Sequence, residues 1–220
     1  MILVHSERLV DLLKKHEVES SFVEHYNKYT TNTNLGYKEK GKVLWVGAYE
    51  HVPFIVDYFE KNDLGLEVDL LTSPDKGQSL AEAQKRYKRL GYSGAIKKHL
   101  RSRKNLRLLP WDENSQKRLM EETKAGIDIK NVLLWGQAYK PPTKAQQFIS
   151  SGIPFACNKE SYSYEYFLKR GFELAEPVDI DKWFSRKYWQ ETNSFKDILN
   201  EAISLTAVGR MYQKSLDLIL

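Results

Sequence analysis

Lys144 and Gln147 stand one helical turn apart in the run from Lys140 to Glu165, KPPTKAQQFISSGIPFACNKESYSYE. An ammonium and a carboxamide on one helix face suit an anionic ligand that also carries hydroxyls, such as a nucleotide. Pro141 and Pro142 pre-set the approach to that helix. Its first backbone N–H groups, Thr143 and Lys144 therefore aim at one point in space. A diphosphate placed there would meet helix dipole and ammonium together. Gln147 is positioned to hydrogen-bond a sugar hydroxyl. Asn158, Glu160, Ser161, Ser163 and Glu165 cluster just beyond, where helix capping accounts for Asn158 or Ser161 as readily as binding does.

A second candidate is Gly47 in WVGAYEHVP, at the end of an apolar run, where backbone could approach a ligand phosphate. His51 follows at the same strand end and could act in the site. The surrounding pattern removes several chemistries. There is no G-x-G-x-x-G dinucleotide fingerprint, no glycine loop followed by K-[ST], and no G-x-S-x-G nucleophile elbow. The five histidines (5, 16, 25, 51 and 99) show no metal-binding spacing, and Cys157 is the single cysteine, so neither a disulfide within the chain nor a cysteine-based metal site is expected.

These residues need a scaffold, and the chain alternates strand and helix patterns. Lys42–Val46 predicts a strand covered on both faces, and Pro53 then sits at a first helical position with Phe54, Ile55, Tyr58 and Phe59 at helical spacing. Further strands are expected at Glu67–Thr72, Leu106–Leu109, Asn131–Trp135 and Pro154–Ala156, with a helix over about Ser115–Thr123 and another closing at Gly171. Short links between such elements predict a parallel sheet with right-handed crossovers and helices on both faces, whose ligands bind at the carboxyl ends of the strands. Ahead of it, Ile2-Leu3-Val4 predicts a strand and Ser6 a helix cap. The polar run Thr30–Lys40 reads as a linker, dividing the chain into a segment 1–38 and a main domain 39–220 that ends in helices.

At 220 residues, with 41% hydrophobic and 29% charged residues, the chain is expected to be globular and soluble. No apolar run reaches the roughly 18 residues that span a bilayer, and the start turns polar at His5, so a cytoplasmic protein is expected. Its net charge of +5 is unevenly spread. Ten Lys/Arg and no acidic residue lie between Lys85 and Arg107, leaving 24 basic against 29 acidic residues elsewhere. Such a segment reads as a solvated helix pair and loop, or as a surface for an anionic membrane, nucleic acid or an acidic partner.

The segment PPTKAQQFISSGIPFACN resembles the nucleotide-sugar site of GT-B glycosyltransferases, where a lysine precedes a helix that ends in G-x-P and a strand. In that family a glutamate five residues before this glycine binds the donor ribose; Gln147 occupies that position here, and a further site glutamate would fall near Tyr139, where it is missing. Lys42–Gly47 is similar to the opening strand and glycine loop of the same C-terminal domain, without the basic residues that often follow that glycine. VHSERLVDLLKKHEV is similar to the end of the N-terminal domain, and TAVGRMYQKSL to the last helix, which packs back across the cleft.

The resemblance implies a Rossmann-like nucleotide-sugar-binding domain taking part in glycosyl transfer, with Gly47, Thr143 and Lys144 on the donor phosphates and Gln147 and Glu165 orienting ribose or sugar. The donor would be a substrate, with no further cofactor and no metal. Because a GT-B acceptor site lies in the other domain, the resemblance also implies a separate acceptor-binding subunit, a shortened enzyme working as a homodimer, or a relic that binds sugar nucleotides without catalysis. Two readings remain beside it: a non-catalytic module binding nucleic acid or a partner through Lys85–Arg107, and a Rossmann-type methyltransferase.

Overall fold

Val43–Val46 (β3) is the central strand of the sheet, and Val43, Leu44 and Trp45 are buried because neighbours cover both faces. The computed structural model describes residues 1–27, 35–72 and 105–217. In chain order, Ile2–Val4 (β1), Glu7–Lys15 (α1) and Ser20–Phe22 (β2) come first, with β1 and β2 forming a two-stranded parallel sheet of their own. After β3 follow a single helical turn at Tyr49–His51, Val52–Lys61 (α2), Val68–Thr72 (β4), Leu106–Pro110 (β5), Glu113–Glu122 (α3) and Ala125–Asp128 (β6). Then come Trp135–Ala138 (α4), Thr143–Ser150 (α5), Phe155–Cys157 (β7) and Tyr162–Lys169 (α6). Ile180–Trp183 (α7), Arg186–Ala202 (α8) and Leu205–Asp217 (α9) end the described chain.

Strands β3 to β7 form one parallel sheet in the order β5-β4-β3-β6-β7. The order reverses between β3 and β6, so the carboxyl ends of those two strands open the crevice in which such sheets bind ligands. The parallel sheet, the strands at Val43, Val68, Leu106 and Phe155, and the proline at the start of α2 agree with the sequence expectation. So do Ser161, which accepts from the backbone N–H three residues on, and Gly171, which ends α6 at φ 80°; Asp112 and Ser185 cap α3 and α8 in the same way. Ser6 holds the N-cap position of α1, but its hydroxyl makes no capping bond.

One strand is corrected. Asn131–Trp135 is a turn leading into α4, and the strand lies earlier, at Ala125–Asp128. The Asn131 side chain accepts the Leu133 N–H, which folds the segment back, and Leu133 and Trp135 are 92% and 67% exposed. The true strand is spelled Ala-Gly-Ile-Asp, poor in strand-forming side chains. Gly126 is needed there because a Cβ would run into the Phe148 ring, so the glycine lets α5 lie directly on β6. β2 has no counterpart in the sequence expectation; Ser20-Ser21-Phe22 carries little apolar signal.

The N-terminal unit is seated on the sheet domain by buried polar contacts. Glu24 pairs with Arg170 at 2.6 Å and accepts from Tyr166 Oη and Gln146 Nε2, while Asn27 donates to Ser150. Ser21 meets Ser215 on α9 at 3.1 Å. Such a carboxylate is stable away from water because each of its oxygens has partners. Lys85–Lys104, nearly all of the basic segment, lies outside the described residues; Arg107, at its end, forms a two-pronged ion pair with Asp69 on the neighbouring strand. Among the described residues no helix is long and apolar enough to cross a membrane.

Candidate functional site

The crevice is built on the two strand ends that the topology separates. β3 delivers Trp45, Gly47 and, through the following turn, Glu50 and His51; β6 delivers Asp128 and, two residues on, Lys130. Alternation along a strand puts Asp128 and Lys130 on one side, and their side chains meet at 2.6 Å. The β6–α5 connection supplies Gln137 and Lys140, and the first turn of α5 supplies Thr143 and Lys144.

Asp128 is the electrostatic centre. Its carboxylate is 4% exposed and binds Lys130 on one oxygen and Lys144, at 3.0 Å, on the other. Burial alone would raise its pKa, but the two ammonium groups hold the carboxyl well below the usual carboxylate range. Lys144 also lies 4.9 Å over the Trp45 ring. Burial, opposed by Asp128 and reinforced by Lys130 and Lys140, brings its ammonium down to about 8.

His51 sits between two nitrogen groups, and a neutral imidazole can accept a hydrogen bond from only one of them. Gln137 Nε2 is 3.0 Å from Nδ1, and Lys140 Nζ is 3.2 Å from Nε2. The Gln137 carbonyl is already taken by the Asn131 N–H, so its amide group faces the imidazole as a donor. Burial, then Lys140, Lys144 and Lys130, drive the ring down to about 3. It is therefore neutral at physiological pH. Lys140 too is lowered, by burial first and then by Lys130. Three lysines thus converge where Asp128 and Glu50 supply the nearby carboxylates, an excess of positive charge in a partly desolvated crevice. An anion entering it would displace little and meet fixed ammonium groups.

Gly47 and Lys144 do come together: a Cβ on Gly47 would stand 3.0 Å from Lys144 Nζ. Thr143 opens α5 beside them. Gln147 is only 8% exposed, one turn deeper, and its backbone carbonyl takes the hydroxyls of Ser150 and Ser151. Glu165 is held by Arg8 at 2.5 Å and Lys169 at 2.9 Å. Asn158 brackets the backbone of Lys130, accepting its N–H and donating to its carbonyl, and Ser161 caps α6.

Asp128, Lys130, Gln137 and Lys140 were not singled out by the sequence. The alternation in Asp128-Ile129-Lys130 was the available signal for the first two; the inward turn of Lys140 depends on a loop conformation that no local pattern announces. These lysines stand where the residues after Gly47 supply no cation.

No protein-family model matches the chain, and no curated protein matches it. Solved structures do. WaaG, a glycosyltransferase involved in lipopolysaccharide biosynthesis, is 14% identical with a TM-score of 0.51, over 99% of this chain and 62% of its own. The DNA-modifying β-glucosyltransferase, crystallised with and without its substrate uridine diphosphoglucose, is 14% identical with a TM-score of 0.53, over 96% and 64%. The structure of accessory secretory protein 1, 2 and 3 from Streptococcus pneumoniae is 15% identical with a TM-score of 0.47, over 99% and 42%. The chain spans less than two thirds of the length of each of these structures. It has the Rossmann-like α/β fold of GT-B glycosyltransferases.

Proposed function

We propose that the crevice between β3 and β6 binds the diphosphate of a nucleotide-sugar and that the chain takes part in glycosyl transfer. The observation that carries this reading is the convergence of Lys144 and Lys140 over the Gly47 strand end, at the point where the strand order reverses. In transfer, the bond between the anomeric carbon and the diphosphate oxygen breaks as the acceptor's hydroxyl oxygen bonds to that carbon and gives up its proton to a base on the acceptor side. Negative charge then grows on the departing diphosphate. Lys144, Lys140 and the first N–H groups of α5 would stabilise that charge as it forms. Thr143 adds a hydroxyl to the same rim, and Gln147 a carboxamide for ribose or sugar. The neutral His51 lies between Gln137 and Lys140 and adds no charge to the rim. Uridine diphosphoglucose, the substrate of the β-glucosyltransferase with this fold, is of the same chemical class.

Transfer also needs an acceptor site. In this reading a separate acceptor-binding subunit or a second copy of the chain supplies it. Calorimetric titration with UDP-, GDP- and ADP-sugars tests the donor site. Saturable binding to one of them, weakened by Lys144→Ala, is the expected result. A folded sample that binds none of the three removes the proposal.

A further inference from the structure

Arg8 belongs to the N-terminal unit, yet its hydrogen bonds end on α6 and on the two connections that frame the crevice. Nε donates to Glu165 Oε2 at 2.5 Å, and Nη1 donates to the carbonyl of Glu160 at 2.9 Å and of Ala138 at 3.3 Å. Ala138 is the last residue of α4, next to Gln137 with its bond to His51, and two residues before Lys140. Glu160 lies two residues beyond Asn158, the side chain that brackets the Lys130 backbone. One guanidinium thus ties the loop that carries Lys140 to the loop that fixes Lys130. The backbone N–H of neighbouring Glu7 donates to Tyr162 Oη at 2.9 Å, which seats the start of α1 against α6.

We infer that Arg8 is a positioning residue for the anion site: it sets the separation of the two rim loops and so the reach of Lys130 and Lys140 toward a bound diphosphate. This rests on the donor-site reading above. The planar fork of arginine is what the geometry uses, since it addresses a carboxylate and two carbonyls at once. A lysine in its place would keep the charge beside Glu165 but present a single ammonium. Ligand affinity is therefore coupled to the docking of the N-terminal unit, although Arg8 itself does not touch the ligand.

The test compares Arg8→Ala, Arg8→Lys and Lys169→Ala, the last removing ion pairs to Glu7 and Glu165 without touching either rim loop. Inorganic diphosphate is the probe, titrated calorimetrically, and amide hydrogen exchange is followed in residues 131–140 and 158–161. Both Arg8 variants are expected to weaken diphosphate binding roughly three- to tenfold and to speed exchange in those two segments. Lys169→Ala is expected to lower the melting temperature slightly and change neither readout. Unchanged exchange in the rim segments of Arg8→Lys overturns the inference, as does full retention of affinity in that variant. Should Arg8→Ala fail to fold, Arg8→Lys carries the test alone. A wild-type protein that binds no diphosphate sinks the donor-site reading instead, and the exchange measurement, which needs no ligand, still judges the role of Arg8.

Discussion

A Cβ placed on Gly47 would stand 3.0 Å from the Lys144 ammonium and overlap the Trp45 indole. The glycine is thus required by space: its missing side chain is the room into which Lys144 extends. Gly47→Ala is expected to destabilise the fold by about 1–3 kcal/mol through overpacking, and to displace Lys144 from its seat over Trp45. Denaturant melts and nucleotide-sugar titration check this together. An alanine variant with wild-type stability and wild-type affinity would show that the two residues do not share a site.

The lowered pKa of Lys144 gives the site a pH dependence of definite sign. The free ammonium titrates at about 8, and an anion bound against it raises that value. Affinity should then be flat between pH 6.5 and 7.5, and fall by up to about tenfold per pH unit above 8. An ADP-sugar is the right probe because its own charge is constant in this range. Lys144→Arg, which stays protonated, should flatten the upper limb. A profile that is level from pH 7 to 9.5 in the wild type contradicts the assignment.

The parts of the site legible in the sequence are those signposted by local punctuation. Pro141-Pro142 and Gly152-Ile153-Pro154 bracket α5 and thereby place Thr143 and Lys144, while the apolar run before Gly47 marks the central strand. Gly152, at φ 73°, turns the chain from α5 into β7 as that reading requires. β6 was illegible for a physical reason. A strand buried on both sides beneath α5 has room for Ala125 and Gly126, whereas the apolar residues Val132, Leu133 and Leu134, which look like a strand, sit in an exposed turn. With β6 misplaced, Asp128 and Lys130 were invisible as a pair. Arg8 was beyond reach altogether, since its partners lie 130 to 157 residues away in the chain.

His51 predicts an acid-labile fold. In the unfolded chain the imidazole takes up a proton near pH 6.5, but in the folded state only near 3. Below pH 6.5 the unfolded state therefore binds the extra proton, and stability falls with pH until about 3. Between pH 6.5 and 5 this single group costs the fold about 2 kcal/mol. Urea denaturation of wild type and His51→Gln at pH 7 and pH 5 isolates it, because carboxylates titrate alike in both. The wild type should lose about 2 kcal/mol more than the variant over that interval. Equal losses would mean that the ring is protonated in the folded protein.

Asp128 separates stability from binding, because its removal should move them in opposite directions. The carboxylate is the shared counter-charge of Lys130 and Lys144, and all three groups are largely withdrawn from water. Asp128→Asn keeps the shape but leaves two neighbouring ammonium groups facing each other. A loss on the order of 3–5 kcal/mol is expected for breaking such a pair from one side. The same change adds a positive unit to a crevice already rich in lysine, so an anion now supplies the missing charge. Inorganic diphosphate should bind the variant more tightly than the wild type and raise its melting temperature by a larger increment. If Asp128→Asn lowers stability and affinity together, the carboxylate holds the lysines in a ligand-ready position that charge alone does not restore, and the simple picture of an anion replacing Asp128 fails.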